Sequence, residues 1–287
     1  MDALLDGVLD GRLCNKMFSL FELCEKAKHK SLNILEPKFG WKKPILFSDI
    51  FDIEYFNENM QEVKMIPRGK ESNYTLQSAT NNFHHAKLRW DKQRDSNSIP
   101  SDAMFFQVLK SLKLNKTNEQ KANSVEGVED LYGVHLRIEK DWQGYLKHGP
   151  PQLKGQKAEN NFLIETDTFI KMYKEFTEHK NILLSTGEDH DQISKKFSEC
   201  GINTCFYFDT SVEYEVSAAI NFFLCVNCKK FIGISRSTFS DLISTRRFIA
   251  NINDSYIYNY GNKIHKRIDM GLHLDPELAV KNTINVY

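Results

Sequence analysis

Apolar and polar positions along this chain follow two periods in turn. Lys16–Lys30 (KMFSLFELCEKAKHK) places apolar residues at 17, 18, 20, 21, 23, 24 and 27, the spacing of one helix face. Before it, Ala3–Asp10 reads as a short apolar strand and Gly11–Asn15 as a turn. After it, Ser31–Leu35 reads as the next strand, stopped by Pro37. Strand, turn, helix, strand is the opening of a Rossmann-like domain. Pro44–Ile53 is strongly apolar. Residues 66–100 are polar with weak periodicity, which predicts a surface excursion with one short helix near Ala79–Leu88. Ala103–Leu114 predicts a helix closed by Asn115, and a second helix follows over Thr117–Ser124.

A second series begins near Val125. Asp130–Val134 predicts a buried strand that runs on with alternating polar residues to Trp142. Gln143–Asn160 is a loop, with Gly, Pro-Pro and no period. Helices are predicted over Asp167–His179, Asp191–Cys200 (ended by Gly201), Glu213–Asn227 and Ser240–Phe248. Strands are predicted over Asn181–Ser185, Asn203–Phe208 and Lys230–Ile234, with a turn at Ser235–Phe239. Strands alternating with helices imply a second parallel α/β domain. The expected domains are 1–124 and 125–287.

The 287 residues suit two domains of this size, and 41% hydrophobic residues supply a core. Lys and Arg number 38 and Asp and Glu 38, a balance that argues against a nucleic-acid or anionic-membrane partner. The longest apolar run, Ala218–Val226, is too short to span a bilayer. Met1–Gly11 carries three Asp and no basic stretch, so no secretory signal is read there. A cytoplasmic protein with six reduced Cys is the expectation.

Four stretches carry candidate chemistry. In YGVHLRIEKDW (Tyr132–Trp142), alternation puts His135, Arg137, Glu139 and Asp141 on one face of a strand. That is either a surface ladder of ion pairs or a polar site at a strand's carboxyl end, where open α/β sheets bind ligands. In FIGISRSTFSD (Phe231–Asp241), a strand runs into a turn bearing Ser235, Ser237, Thr238 and Ser240 that opens a helix. It is an ordinary cap or an anion site. Gly11-Arg12-Leu13-Cys14-Asn15-Lys16 forms the first strand-to-helix turn, and Ser185-Thr186-Gly187-Glu188 follows a buried strand. Asp189-His190-Asp191 is a D-x-D that a metal-dependent transferase would use, but Asp191 also suits the N-cap of the next helix. Cys225 and Cys228 have no second pair at zinc spacing and read as buried helix thiols.

These four stretches, taken in chain order from Gly11 to Asp241, resemble motifs of the protein O-fucosyltransferases. GVHLR resembles their H-x-R motif, and H-L-R-x-E-x-D resembles the plant O-fucosyltransferase-like enzymes. Ser237, Thr238 and Phe239 fall on the S-S-F of F-I-G-N-x-x-S-S-F-S/T, with Ile234 in place of the Asn. Gly11, Arg12 and Asn15 match G-R-F-G-N-Q, with Cys14 and Lys16 departing from it. Thr186 and Glu188 resemble the loop that lines the nucleotide.

The resemblance implies a GT-B fold, two Rossmann-like α/β domains facing across a cleft. The first would serve the acceptor and the second the nucleotide sugar. It implies sugar transfer with inversion and without a metal. Arg137, Asn15 and a carboxylate (Glu139 or Asp141) are the catalytic candidates. Gly11, Arg12, Leu13, His135, Thr186, Glu188, Asn221, Ser235, Ser237, Thr238, Phe239 and Ser240 are the donor-binding ones.

Asn221 stands where the family has a carboxylate that accepts from guanine. An amide, with one donor and one acceptor edge, suits uracil. GDP-fucose and a UDP-xylose or UDP-rhamnose donor therefore both remain open, and the acceptor is a hydroxyl of a glycan or glycoprotein. The departures at Cys14, Ile234 and Asn221 also admit a non-catalytic nucleotide-sugar or glycan binder.

Overall fold

The computed structural model describes residues 3–9, 11–39, 45–79, 104–139, 164–187, 190–234, 237–260 and 262–267. They divide into two compact units, Met1–Ser124 with Phe208–Ile220, and Val125–Tyr207 with Asn221–Tyr287. The segment 208–220, which lies in the second half of the sequence, thus packs with the first unit.

The first unit is built on a parallel sheet of β1 (Ala3–Gly7), β2 (Asn33–Leu35), β3 (Met65–Ile66) and β4 (Thr75–Ala79) in the order β3-β2-β1-β4. Leu4 and Leu5 of β1 and Ile34 and Leu35 of β2 are fully buried, as strands covered on both faces require. Helix α1 (Leu13–His29) buries every apolar position that its period predicts. Lys26, Lys28 and His29 complement the dipole in its last turn.

Short helices α2 (Phe47–Ile50) and α3 (Ile53–Asn59) follow, then α4 (Met104–Ser111) and α5 (Lys116–Ala122). Phe47 lies 5.0 Å from Phe51 and 5.2 Å from Phe56, so the described part of the apolar run, residues 45–53, packs an aromatic core. Asn115 does not close α4. Its side chain accepts from the Asn118 N–H at 2.9 Å and caps the start of α5 instead.

β4 lies within the stretch read as a surface excursion, and β3 ends at its first residue. Asn57 pairs its amide with both backbone groups of Met65 at 2.7 and 2.9 Å, which fixes β3 without help from an apolar period. The helix expected near Ala79–Leu88 lies outside the described residues except for Ala79, which ends β4.

The second unit holds a sheet in the order β10-β9-β8-β5-β6-β7. Its strands are β5 (Tyr132–His135), β6 (Asn181–Ser185), β7 (Asn203–Cys205), β8 (Lys230–Gly233), β9 (Ser255–Tyr260) and β10 (Lys263–Lys266). All neighbours are parallel except the β9–β10 hairpin. Helices α6 (Thr166–Phe176), α7 (His190–Glu199), α8 (Tyr214–Asn227) and α9 (Thr238–Ile249) connect them.

Residues Val128–Asp130 form a 3-10 turn, so β5 starts at Tyr132 and ends at His135, shorter than its alternation suggests. Helix α7 ends in a Schellman motif: Ile202 N–H donates to Phe197 O at 3.0 Å and Gly201, at φ 73°, to Ser198 O at 2.9 Å. Its first residue is His190, so Asp191 sits inside the first turn and is not the N-cap. The β9–β10 hairpin was not foreseen from sequence.

Gly133 lets α8 approach β5. A Cβ there would stand 3.1 Å from Cys228 Sγ. Cys225 and Cys228 are buried free thiols, and burial pushes the Cys228 thiol up to about 12. Protonated thiols neither attack nor ligate.

Candidate active site

In the second unit the site grows from three adjacent parallel strands, β8-β5-β6, at their carboxyl ends. β5 delivers His135, with 6% of its surface exposed. β8 ends in Gly233, followed by Ile234, and α9 starts at Thr238. A Cβ on Gly233 would stand 2.5 Å from Ser240 Oγ. The glycine is therefore needed for Ser240 to lie over the strand end. There Ser240 Oγ accepts from the Ile234 N–H at 3.1 Å and pairs with His135 Nδ1 at 2.7 Å. One hydroxyl joins the ends of two strands to the first turn of a helix.

Phe239 lies 4.8 Å from the His135 ring and 6.0 Å from Phe222, completing an aromatic wall. Ser237 is the N-cap residue and its side chain makes no cap bond. The first N–H groups of a helix have no partner within it. Asp241, in that first turn, meets Arg267 at 3.1 Å in a buried ion pair. Ser235 lies outside the described residues.

Burial first, and then the Arg137 charge, push His135 from 6.5 down to about 3. It is a neutral hydrogen-bonding group at working pH. The folded value lies below the unfolded one, so as pH falls below 6.5 the unfolded chain takes the proton first. Stability from His135 is complete above that value and drains away between 6.5 and 3, by about 1.4 kcal/mol for each unit. Urea midpoints measured from pH 7 to pH 4 are expected to fall more steeply in wild type than in His135→Gln. Parallel curves would contradict the neutral assignment.

Beyond β5 the backbone is irregular but pinned. Leu136 N–H donates to Ser185 O at 3.0 Å, and Arg137 N–H donates to the Tyr258 hydroxyl at 3.0 Å. Tyr258 is fully buried on β9 and was not foreseen, because it belongs to the hairpin that no motif marks. Arg137 and Glu139 do meet, with Nη1 3.2 Å from Oε2. Glu139 also accepts the Gly187 N–H at 2.9 Å, and a Cβ on Gly187 would stand 2.9 Å from the same oxygen. The carboxylate thus ties Arg137 to the turn after β6, beside Thr186. Asp141, Glu188 and Asp189 lie outside the described residues. Asn221 donates to the Tyr207 carbonyl at 3.1 Å.

In the first unit, Gly11 takes φ 82° at the end of the β1–α1 turn, and Asn15 folds back over it. A Cβ on Gly11 would stand 2.6 Å from Asn15 Cβ. Leu13 is buried at the start of α1. Arg12 is the N-cap residue, again without a side-chain cap bond. Its guanidinium lies 5.0 Å from the centre of the Tyr214 ring, with Nη1 3.4 Å from the hydroxyl. Tyr214 and the neighbouring Glu215 were not expected at this turn.

No protein-family model matches the sequence, and no curated protein matches it. Solved structures do. The apo form of POFUT1 aligns with TM-score 0.63 at 13% identity, covering 89% of this chain and 97% of that one. POFUT1 in complex with GDP-fucose aligns with TM-score 0.60 at 12% identity, covering 86% and 93%. Fucosyltransferase NodZ from Bradyrhizobium aligns with TM-score 0.56 at 11% identity, covering 92% and 98%. The chain has the GT-B fold of these fucosyltransferases. Its described residues form two compact α/β units, one on a parallel sheet and one on a sheet that is parallel except for the β9–β10 hairpin. Among the described residues no helix is long and apolar enough to cross a membrane.

Proposed function

We propose that this chain is a glycosyltransferase that moves a sugar from a nucleoside diphosphate to a hydroxyl of a glycan or glycoprotein, with inversion. The observation that supports it most is the joining of Arg137, Glu139 and Gly187 beside the His135–Ser240–Ile234 bridge and the start of α9. These groups gather a guanidinium, a neutral imidazole and helix N–H groups at one sheet edge, on a fold shared with POFUT1 in complex with GDP-fucose.

In this reading the anomeric C–O bond to the diphosphate breaks as the acceptor oxygen attacks from the opposite side. Negative charge grows on the departing diphosphate. Arg137 and the first N–H groups of α9 stabilise it, preorganised by Glu139 and Ser240. Thr186, Ser237 and Thr238 lie at the same strand ends, and the resemblance assigns Asn15, with Gly11 and Arg12, to the reacting sugar. His135 binds the nucleotide as a neutral donor or acceptor. Glu139 is engaged by Arg137 and Gly187, so it acts as a positioning group. The acceptor proton is then left to Asp141, or to solvent once departure has run ahead of attack. No metal enters this scheme.

POFUT1 and NodZ structures hold GDP or GDP-fucose, which favours GDP, while an amide at Asn221 favours UDP. Calorimetry with GDP and UDP in the presence of EDTA tests the reading. One nucleotide is expected to bind at least tenfold tighter than the other, and Asn221→Asp is expected to shift preference toward GDP. Binding of neither would remove the reading. Binding with no hydrolysis of GDP-fucose, UDP-xylose or UDP-rhamnose would favour the non-catalytic binder, which the departures at Cys14, Ile234 and Asn221 allow.

A further inference from the structure

The first turn of α8 holds the β1–α1 turn through a buried ion pair. Lys16, the fourth residue of α1, keeps 3% of its side chain exposed, and Glu215 keeps 7%. Lys16 Nζ lies 3.4 Å from Glu215 Oε1 and also donates to the carbonyl of Gly11. One position before Glu215, Tyr214 stacks on Arg12. Two consecutive residues of one helix therefore grip two residues of the turn.

The pair costs desolvation of both charges, which stability alone gives little reason to keep. Its geometry supplies another reason. The C=O and N–H of a trans peptide point in opposite directions. Holding the Gly11 carbonyl against Lys16 therefore turns the Arg12 N–H to the other side of that peptide. It points away from the pair, with Gly11 in the left-handed region where its peptide is otherwise easily flipped.

We infer that Lys16 and Glu215 are positioning residues, a buried ion pair that fixes the orientation of the Gly11–Arg12 peptide and with it Asn15. This rests on the reading of that turn as the one that meets the donor sugar. The glutamine of the resembled motif can donate to the same carbonyl, but it would leave Glu215 buried without a cation. Lys16 and Glu215 are thus a matched set specific to this chain.

Hydrogen exchange and donor hydrolysis test this together in Lys16→Met, Lys16→Gln, Glu215→Gln and the double variant Lys16→Gln/Glu215→Gln. In Lys16→Met, amides of residues 11–16 are expected to exchange at least tenfold faster, with those of residues 20–29 unchanged. Hydrolysis of GDP-fucose, UDP-xylose or UDP-rhamnose, whichever wild type accepts, is expected to lose at least tenfold in kcat with KM altered less than threefold. The double variant, with two neutral amides, is expected to return both readouts to within threefold of wild type.

If Lys16→Met does not fold, Lys16→Gln against the double variant decides the same point. Unchanged exchange at residues 11–16, or a double variant no better than Lys16→Gln, would overturn the inference. A wild type that hydrolyses none of GDP-fucose, UDP-xylose and UDP-rhamnose would sink the functional reading instead, and exchange would still decide whether the pair holds the turn.

Discussion

Arg137→Ala is expected to lower donor hydrolysis about 10²- to 10³-fold, the loss typical of removing one group aimed at transition-state charge. Its guanidinium is the one cation placed among the described residues between the β5 end and the turn after β6, and its backbone and side chain are both held. Tyr258 fixes the N–H, and Glu139 Oε2 stands 3.2 Å from Nη1 as a counter-charge. Arg137→Lys is expected to recover only part of the rate, because a point charge cannot satisfy Glu139 and a diphosphate with one planar fork. The folding cost is expected to be small, since the side chain is 22% exposed. Steady-state kinetics with thermal denaturation on the same preparations checks both statements. A rate loss below fivefold would show that departure does not depend on this residue.

The largest stability effect is expected at Arg247. This residue on α9 is fully buried and meets no carboxylate among its described contacts. Its guanidinium instead donates to Val226 O at 2.7 Å, to Cys228 O, to Lys229 O at 3.1 Å and to Asp254 O at 3.2 Å. It thereby satisfies carbonyls at the end of α8, where a helix leaves its last acceptors without partners and a cation meets the dipole. Arg247→Met keeps the volume and strands those acceptors. A loss of about 3–5 kcal/mol is expected, in the range of breaking a buried charged hydrogen-bond set. Urea denaturation measures it directly, and a change under about 1 kcal/mol would mean that water replaces the guanidinium.

Much of the site was legible because its chemistry is local in sequence. A strand end, a glycine and a hydroxyl-bearing helix start recur within Phe231–Asp241, and the structure gives each a reason. Gly233 makes room for Ser240, and Ser240 joins His135 to Ile234. The pairing of Arg137 with Glu139 followed from spacing, although the strand that suggested it stops at His135.

The missed groups are long-range or carry no period. Glu215 lies 199 positions from Lys16, and a lysine in an amphipathic helix reads as a solvated face until its partner is placed. β4 leaves four of its five residues exposed, so no alternation marks it. Tyr258 sits in a strand, SYIYNY, whose aromatic run reads equally as core filling. No motif marks Arg267 or Arg247, and only packing shows that one meets Asp241 and the other a row of carbonyls.

The most direct measurement is hydrogen exchange of the intact chain with and without saturating GDP or UDP. Protection is expected at residues 135–139, 185–187 and 237–241, the three segments that converge at the carboxyl ends of β5, β6 and β8. It is expected to be lost in Arg137→Ala. Protection confined to other segments, or none with either nucleotide, would contradict a nucleotide-sugar site at this edge.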